Sequence, residues 1–228
     1  MNETNVAILG GTGNLGAGLA LRWAAAGVSV VIGSRDAERA RSTAQDFTER
    51  LPASAATIEG VDNSSAAEAA DIVIVAVPFD SASKMIESVA AKLSGKTVVS
   101  TVVPLGFDAQ GPYVLSLETH SSVAEDLASR VPRARLVAGF HSVAAAALTD
   151  LSQPVDEDIL LCGDDDPSLA EVAKLIRLIP GASPVVAGPL RLAGALEGFT
   201  AALIGVNKRN RAHVGLRLAR LPAALRAP

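Results

Sequence analysis

Apolar and polar positions follow one another along this chain in two rhythms. Short apolar runs, such as Val-Ala-Ile-Leu at 6–9 and Ile-Val-Ile-Val-Ala-Val at 72–77, recur between longer segments of mixed character. The short runs read as strands buried on both faces, and the longer segments as helices laid over them. The pattern predicts strands at 6–9, 28–32, 72–77, 97–103, 135–138, 158–162 and 184–187, with a short extended piece near Thr57 and Ile58. Helices are predicted at 15–26, 37–49, 66–70, 81–93, 121–129, 167–179 and 190–206. Gly27, Pro78 and Pro104 supply the stops between them. Strands alternating with helices imply parallel βαβ units, and so an α/β fold with a Rossmann-type doubly wound, mostly parallel sheet.

Two stretches fall outside this rhythm. Residues 105–118 contain Gly and Pro with few periodic apolar positions and read as a long loop, of a kind that is often functional beside a sheet's carboxyl edge. Basic residues at 207–211 read as a tail after the last helix, followed by an apolar stripe to Leu225. With no repeat and no Ser/Gly-rich linker, the simplest organisation is one Rossmann-type sheet domain over 1–188. A helical segment over 189–228 then completes the fold.

Composition narrows the class. The 228 residues are 49% hydrophobic but only 3% aromatic, which suits Ala/Leu helices on Val/Ile strands. No charge-free apolar run reaches the roughly 18 residues of a membrane span, and no basic segment precedes an apolar one at the start. A cytoplasmic protein without a membrane partner is expected. A net charge of −4 gives no electrostatic case for nucleic acid. The one cysteine, Cys162, lies in an apolar run and is expected to be buried and inert.

The candidate chemistry begins at Gly11-Thr12-Gly13-Asn14-Leu15-Gly16, a Gly-x-Gly-x-x-Gly turn between the first strand and the first helix. Gly11 is expected to permit the tight turn, Gly13 to let backbone approach a pyrophosphate, and Gly16 to let the helix pack closely on the strand. Helix-start amides would face the phosphates. After the second strand stand Ser34 and Arg35, with Arg39 four residues on, where an NAD-binding chain usually has a carboxylate. A hydroxyl and guanidinium groups favour a 2′-phosphate, and hence NADP(H). Asp36 reads as a helix cap, with service to an NAD ribose as the alternative.

With these residues in place, Gly-Gly-Thr-Gly-Asn-Leu-Gly at 10–16, Gly33-Ser34-Arg35 and Val77-Pro78-Phe79 together resemble the NADPH-dependent coenzyme F-420 reductases, or F-420H2:NADP oxidoreductases. Phe140-His141-Ser142-Val143, Cys162-Gly163-Asp164-Asp165, Ala187-Gly188-Pro189-Leu190 and Asn207-Lys208-Arg209 through His213 extend the resemblance along nearly the whole chain. It implies hydride transfer between the nicotinamide and the 5-carbon of an 8-hydroxy-5-deazaflavin, in a homodimer. By position, Thr12, Asn14 and Leu15 would line the pyrophosphate turn, and Ser34, Arg35 and Arg39 would hold the 2′-phosphate. Val77 and Pro78 would lie beside ribose and nicotinamide, with His141 and Val143 where the rings meet. The chain departs from the family at 105–118 and at Asn210, where the family often has an aromatic residue.

Two other functions fit the same residues: an NADPH-dependent reductase of a small imine or carbonyl compound, and a non-enzymatic NADPH sensor. The first usually needs a positioned proton donor, for which His141 is the obvious candidate. His141 also reads as a loop histidine satisfied by backbone. Lys208, Arg209 and Arg211 read as a solvated face, or as an attraction for the anionic tail of F-420. Asp164-Asp165-Asp166 reads as a helix start, with Asp166 capping and Pro167 in the first turn, rather than as a metal site. No metal is expected.

One expectation follows at once. Removing a charged hydrogen-bond partner costs about 1.5–3 kcal/mol, so Arg35→Ala should raise the KM for NADPH about tenfold or more while moving that for NADH little. Steady-state kinetics with both nucleotides checks this, and equal preference in the unaltered protein would refute it.

Overall fold

Val6–Leu9 (β1) is buried at every position, as a central parallel strand covered on both faces must be. Its side chains divide by parity: Val6 and Ile8 join one apolar cluster, Ala7 and Leu9 the other. The structure, a computed structural model, describes residues 5–222. From β1 the chain runs through Asn14–Ala25 (α1), Val30–Ser34 (β2), Ala37–Glu49 (α2), Ile58–Asp62 (β3), Asn63–Ala69 (α3) and Ile72–Val75 (β4). Phe79–Val89 (α4), Thr97–Ser100 (β5), Leu105–Asp108 (β6), Gly111–Val114 (β7), Val123–Arg130 (α5) and Arg135–Ala138 (β8) follow. Ala145–Thr149 (α6), Glu157–Gly163 (β9), Asp166–Arg177 (α7), Ala182–Gly188 (β10) and Ala193–Asn210 (α8) complete it.

Eight strands form one sheet in the order β10-β9-β8-β5-β4-β1-β2-β3. Every pairing in it is parallel except β8 with β9. The fold is therefore α/β, Rossmann-like and mostly parallel. Residues of α1, α2, α6 and α7 cover one face, and α3, α4 and α5 cover the other. The carboxyl ends of β1, β4, β5 and β8 lie side by side, and the chain leaves each of them on one edge.

Several boundaries move from their sequence expectations. The second strand is Val30–Ser34, because Val30 pairs with Val6 and Ser34 with Asp62, leaving Val28 as a core residue of the approach. The stretch expected to be a loop folds back as the hairpin β6–β7, its turn held by Asp108 Oδ1, which accepts from the Gln110 and Gly111 amides at 2.8 and 3.1 Å. Both hairpin strands carry exposed side chains, so no burial rhythm marks them. Asp165, not Asp166, caps α7, accepting from the Ser168 amide at 2.9 Å. The last helix takes in the basic residues expected to be a tail and ends at Asn210, with Arg211 in the left-handed region.

Beyond α8 the chain becomes a strap rather than a further helix; the expected stripe to Leu225 lies partly outside the described residues. Asn207 Oδ1 accepts from the Val214 amide at 2.7 Å, and the Asp158 amide donates to the Leu216 carbonyl at 2.7 Å. Asp158 Oδ2 accepts from the Leu218 amide at 2.6 Å, and Arg217 donates to Asp156 and Asp158. Gly215 lies directly over the carboxylate of Glu157, where no Cβ would fit. Burial pushes the Glu157 carboxyl up to about 7, with the Ala144 amide opposing and Asp156 adding to the rise.

A carboxyl raised in the folded state stabilises below its ordinary value of 4.5 and loses that contribution as pH rises through about 7. Glu157→Gln should therefore gain in Tm relative to the parent between pH 5 and pH 8. Paired thermal unfolding across that range tests it, and a difference independent of pH would contradict it.

Candidate active site

The turn after β1 is built by backbone. Gly10 takes φ +77°, and a Cβ there would lie 2.6 Å from Val77 Cγ1, so the first turn packs directly on the chain leaving β4. The positive φ thus falls at Gly10 rather than at Gly11, whose limit is the side chain of Ile32. Gly10 and Gly11 both donate to the Gly33 carbonyl, at 3.0 and 3.1 Å, tying the turn to β2. A Cβ on Gly16 would sit 2.7 Å from Gly11 Cα, so α1 touches the turn backbone to backbone. Gly13 and Asn14 are exposed, Thr12 and Leu15 half-buried.

α1 starts at Gly13 with no side-chain cap and no acidic residue in its first turn. α4, α6 and α8 likewise lack a side-chain cap, whereas α2, α3, α5 and α7 are capped by Asp36, Asp62, Ser122 and Asp165. An uncapped, unblocked helix start beside exposed glycine is a cradle for an anion.

At the end of β2, the Ser34 hydroxyl accepts from the Asp36 amide at 3.2 Å. Asp36 Oδ1 accepts from the Glu38 and Arg39 amides at 3.0 and 3.2 Å, so its carboxylate is engaged in capping α2. Arg35 and Arg39 are exposed, and neither forms an ion pair among the described residues. Two exposed arginines without an ion pair among the described residues therefore follow Ser34, one just past the strand end and one in the first turn of α2. Asn63 belongs here too, its Oδ1 buried without a partner near Gly33; no signal in the sequence singled it out.

Val77 is half-buried and Pro78 exposed at the start of α4. Two strands away, Phe140 takes φ 65°, a conformation that non-glycine residues rarely hold without surrounding support. Trp23 supplies support through an edge-on ring contact at 5.9 Å. The next residue, His141, is 7% exposed, and neither ring nitrogen makes a well-formed hydrogen bond, although the Ser100 backbone lies close enough to act on the ring. Burial lowers its pKa to about 4, opposed in part by the Ser100 backbone, so the ring is neutral near pH 7. Its carbonyl accepts from Thr200 Oγ1 at 3.0 Å, fixing α8 to this loop.

His141 and Ser142 border a cavity of about 280 Å³, closed by Leu160 of β9, Leu196 and Phe199 of α8 and Leu216 of the strap. Val143 instead packs in the core cluster that holds Trp23 and Leu148. The two residues expected together at the ring contact are thus near in sequence, but only His141 lines the cavity. The Ser100 hydroxyl, at the end of β5, is also buried without a partner. Unpartnered buried polar groups are costly, and a polar ligand edge would satisfy these. Among the described residues no cluster of His, Cys, Asp and Glu could hold a metal ion. Asp164 accepts from the Leu190 amide at 3.0 Å, so the aspartate run is engaged in a turn and a cap. Burial pushes the Cys162 thiol up to about 11, which leaves it protonated and unreactive.

This arrangement has known counterparts. The family model described as NADP oxidoreductase, coenzyme F420-dependent, matches residues 5–104. The "F420-dependent NADP reductase" of Methanothermobacter thermautotrophicus is 35% identical over 221 residues, covering 95% of each chain. The chain belongs to the F-420-dependent NADP oxidoreductase family. The protein of that name from Methanocaldococcus jannaschii is 36% identical, over 95% of this chain and 98% of its own. A solved structure described as a putative F420-dependent NADP reductase from Arthrobacter sp. FB24 superposes with a TM-score of 0.80 at 25% identity. It covers 94% of this chain and 99% of the other. The family likeness thus extends past the nucleotide half to the cavity, α8 and the strap. No helix among the described residues is long and apolar enough to cross a membrane.

The neutral state of His141 has two measurable consequences. Its ordinary value of 6.5 lies above the folded value of about 4, so the neutral ring contributes stability above pH 6.5 that is lost as pH falls through 4. His141→Ala should flatten that part of the stability profile. It should also slow turnover by less than the roughly 100-fold that marks loss of an acid–base group. An inflection in the parent's hydride rate near pH 6.5, or abolished turnover in a folded variant, would contradict this reading.

Proposed function

We propose that the chain transfers a hydride between NADP(H) and the deazaflavin of coenzyme F-420, with the glycine turn and the His141 cavity as the two halves of one site. The observation that carries this is chemical: among the described residues His141 is the only ionisable one lining the cavity, and burial favours its neutral form. When bound, the two cofactors supply the hydride donor and acceptor themselves. The protein then has only to bind, orient and exclude water. The first-turn amides of α1, with Gly11 to Gly16, would hold the pyrophosphate. Ser34, Arg35 and Arg39 would hold the 2′-phosphate. Val77 and Pro78 would flank the ribose and nicotinamide, and His141 would offer its ring nitrogens to a polar edge of either ring. Val143, beneath the loop, would set its height.

An imine or carbonyl reductase would need a proton donor that the cavity lining does not hold in charged form. A sensor would bind NADPH without turnover. The nucleotide-binding unit is assigned to 1–188, since the eight strands of the sheet fall between Val6 and Gly188. The segment 189–228 completes the site. We assign the protein to the cytoplasm, and we assign a homodimer through the hairpin and α8. Phe107, Tyr113, Val114, Phe199 and Val206 there are 43–66% exposed, an apolar patch of the kind that marks an interaction surface.

Mixing the protein with NADPH and oxidised F-420 should bleach the deazaflavin absorbance. NADPH oxidation only on addition of an imine or carbonyl, or binding with no turnover, would decide for the other readings. Val143→Ala should leave NADPH affinity nearly intact and slow the hydride step. Sedimentation at micromolar concentration should show twice the 23.2 kDa chain mass, and a single species at that mass would refute the dimer.

A further inference from the structure

We propose that Arg22 is a positioning residue for the hydride step, holding the His141 loop in register with the phosphate-binding end of the same helix. The proposal rests on the reading that His141 borders the nicotinamide.

Arg22 lies in the last turn of α1 and is 3% exposed. A buried arginine is ordinarily paired with a carboxylate. Arg22 forms no ion pair within salt-bridge distance among the described residues, although the nearby Asp150 charge favours its charged form. Its hydrogen bonds go to carbonyls: Nε donates to Leu148 at 2.9 Å, and Nη2 lies 2.8, 2.5 and 2.8 Å from the carbonyl oxygens of Ala147, Asp150 and Gln153. These carbonyls end α6 and form the turn after it. The guanidinium thus gathers the far end of the segment that begins at His141. A planar fork of donors can serve several carbonyls at once, and a lysine ammonium at the end of a shorter reach cannot do so in the same way.

Two neighbours make this grip stiff. Gly18, one turn earlier on α1, lies so close to α6 that a Cβ would fall 2.4 Å from Leu148 Cβ. Trp23, next in sequence, donates Nε1–H to the Leu175 carbonyl at 2.9 Å and meets Phe140 edge-on. Trp23 therefore fixes the residue before His141, and Arg22 the segment after it. Both stand on the helix whose first turn follows Gly13. A displacement near 1 Å at a reacting site can cost about 100-fold in rate, so a shared rigid helix is the shortest route to registration of the two halves.

The test compares Arg22→Lys, Arg22→Met and Asp150→Ala. Asp150 is exposed, and its carboxylate accepts from the Ser152 amide and hydroxyl at 3.1 and 2.6 Å, shaping the turn that presents carbonyls to Arg22. Asp150→Ala therefore loosens the contact from the surface, by removing both the bonds that shape the turn and a charge that favours the guanidinium, and it decides the matter if the buried variants fail to fold. Three quantities are read: amide hydrogen exchange across 141–149 in the nucleotide-free protein, the NADP Kd, and the single-turnover hydride rate. The expected result is faster exchange there, a hydride rate lower by about tenfold in Arg22→Lys and about threefold in Asp150→Ala, and an NADP Kd within about twofold of the parent. Unchanged exchange, an unchanged hydride rate, or affinity lost in step with rate would overturn the proposal. His141→Ala separates it from the reading beneath. If that variant leaves the hydride rate unchanged, the placement of His141 fails; if it slows the rate and Arg22→Lys does not, the positioning role fails.

Discussion

The constraint on which this structure most depends is the closeness with which α1 lies on its surroundings. Its first turn meets the strand-to-helix turn with no side chain between, Gly16 against Gly11. Further along, its flank meets α6 with equal intimacy. One rigid element therefore carries uncapped amides at its start and the support of the His141 loop on its side. Packing at that density passes small displacements on rather than absorbing them. The strained backbone at Phe140 persists because Trp23 and the core around it leave no alternative.

The C-terminal part is joined by directional polar contacts as well as by Leu190 and Ala193, which enter the apolar core. Glu197 of α8 is 1% exposed, and its carboxylate accepts from the Val123 and Ala124 amides at 2.8 and 3.0 Å, so it completes the start of α5 from another element. Burial raises its pKa while those two amides work the other way. Such a buried carboxylate adds little net stability once its desolvation is counted, but it fixes position. Thr200 on the same helix reaches the His141 carbonyl, and the strap beyond closes the cavity through Asp158. The cavity is thus assembled from β8, β9, α8 and the strap, four parts brought together by directional bonds.

This explains why the site's two halves differ in how they are made. The half proposed for the nucleotide is local: a turn, a helix start and a strand end within about thirty residues of one another, as a βαβ unit requires. The cavity half joins residues from His141 to Leu216. Its chemistry comes from burial, since the His141 imidazole is kept neutral because the surrounding elements exclude water.

By itself the sequence determined what depends on short-range physics. Apolar runs bounded by Gly and Pro located the sheet strands, while the glycine spacing with Ser34, Arg35 and Arg39 supplied the expectation of a nucleotide turn with a 2′-phosphate preference. The motif blocks pointed to the family along the whole chain, and Asp36 was legible as a cap. Only the tertiary structure decided what depends on distant partners. The hairpin β6–β7 and the short α6 carry too little periodic burial to be seen in advance. Asp165 was selected over Asp166 by the Ser168 amide, and the positive φ fell at Gly10 because Val77 closes on it. Val143 was drawn into the core while His141 stayed at the cavity. Arg22 gave no sign in the sequence, because its partners are backbone carbonyls more than 120 positions away, and carbonyls carry no residue identity. Periodicity records which side of an element is buried; it cannot record what is buried against it.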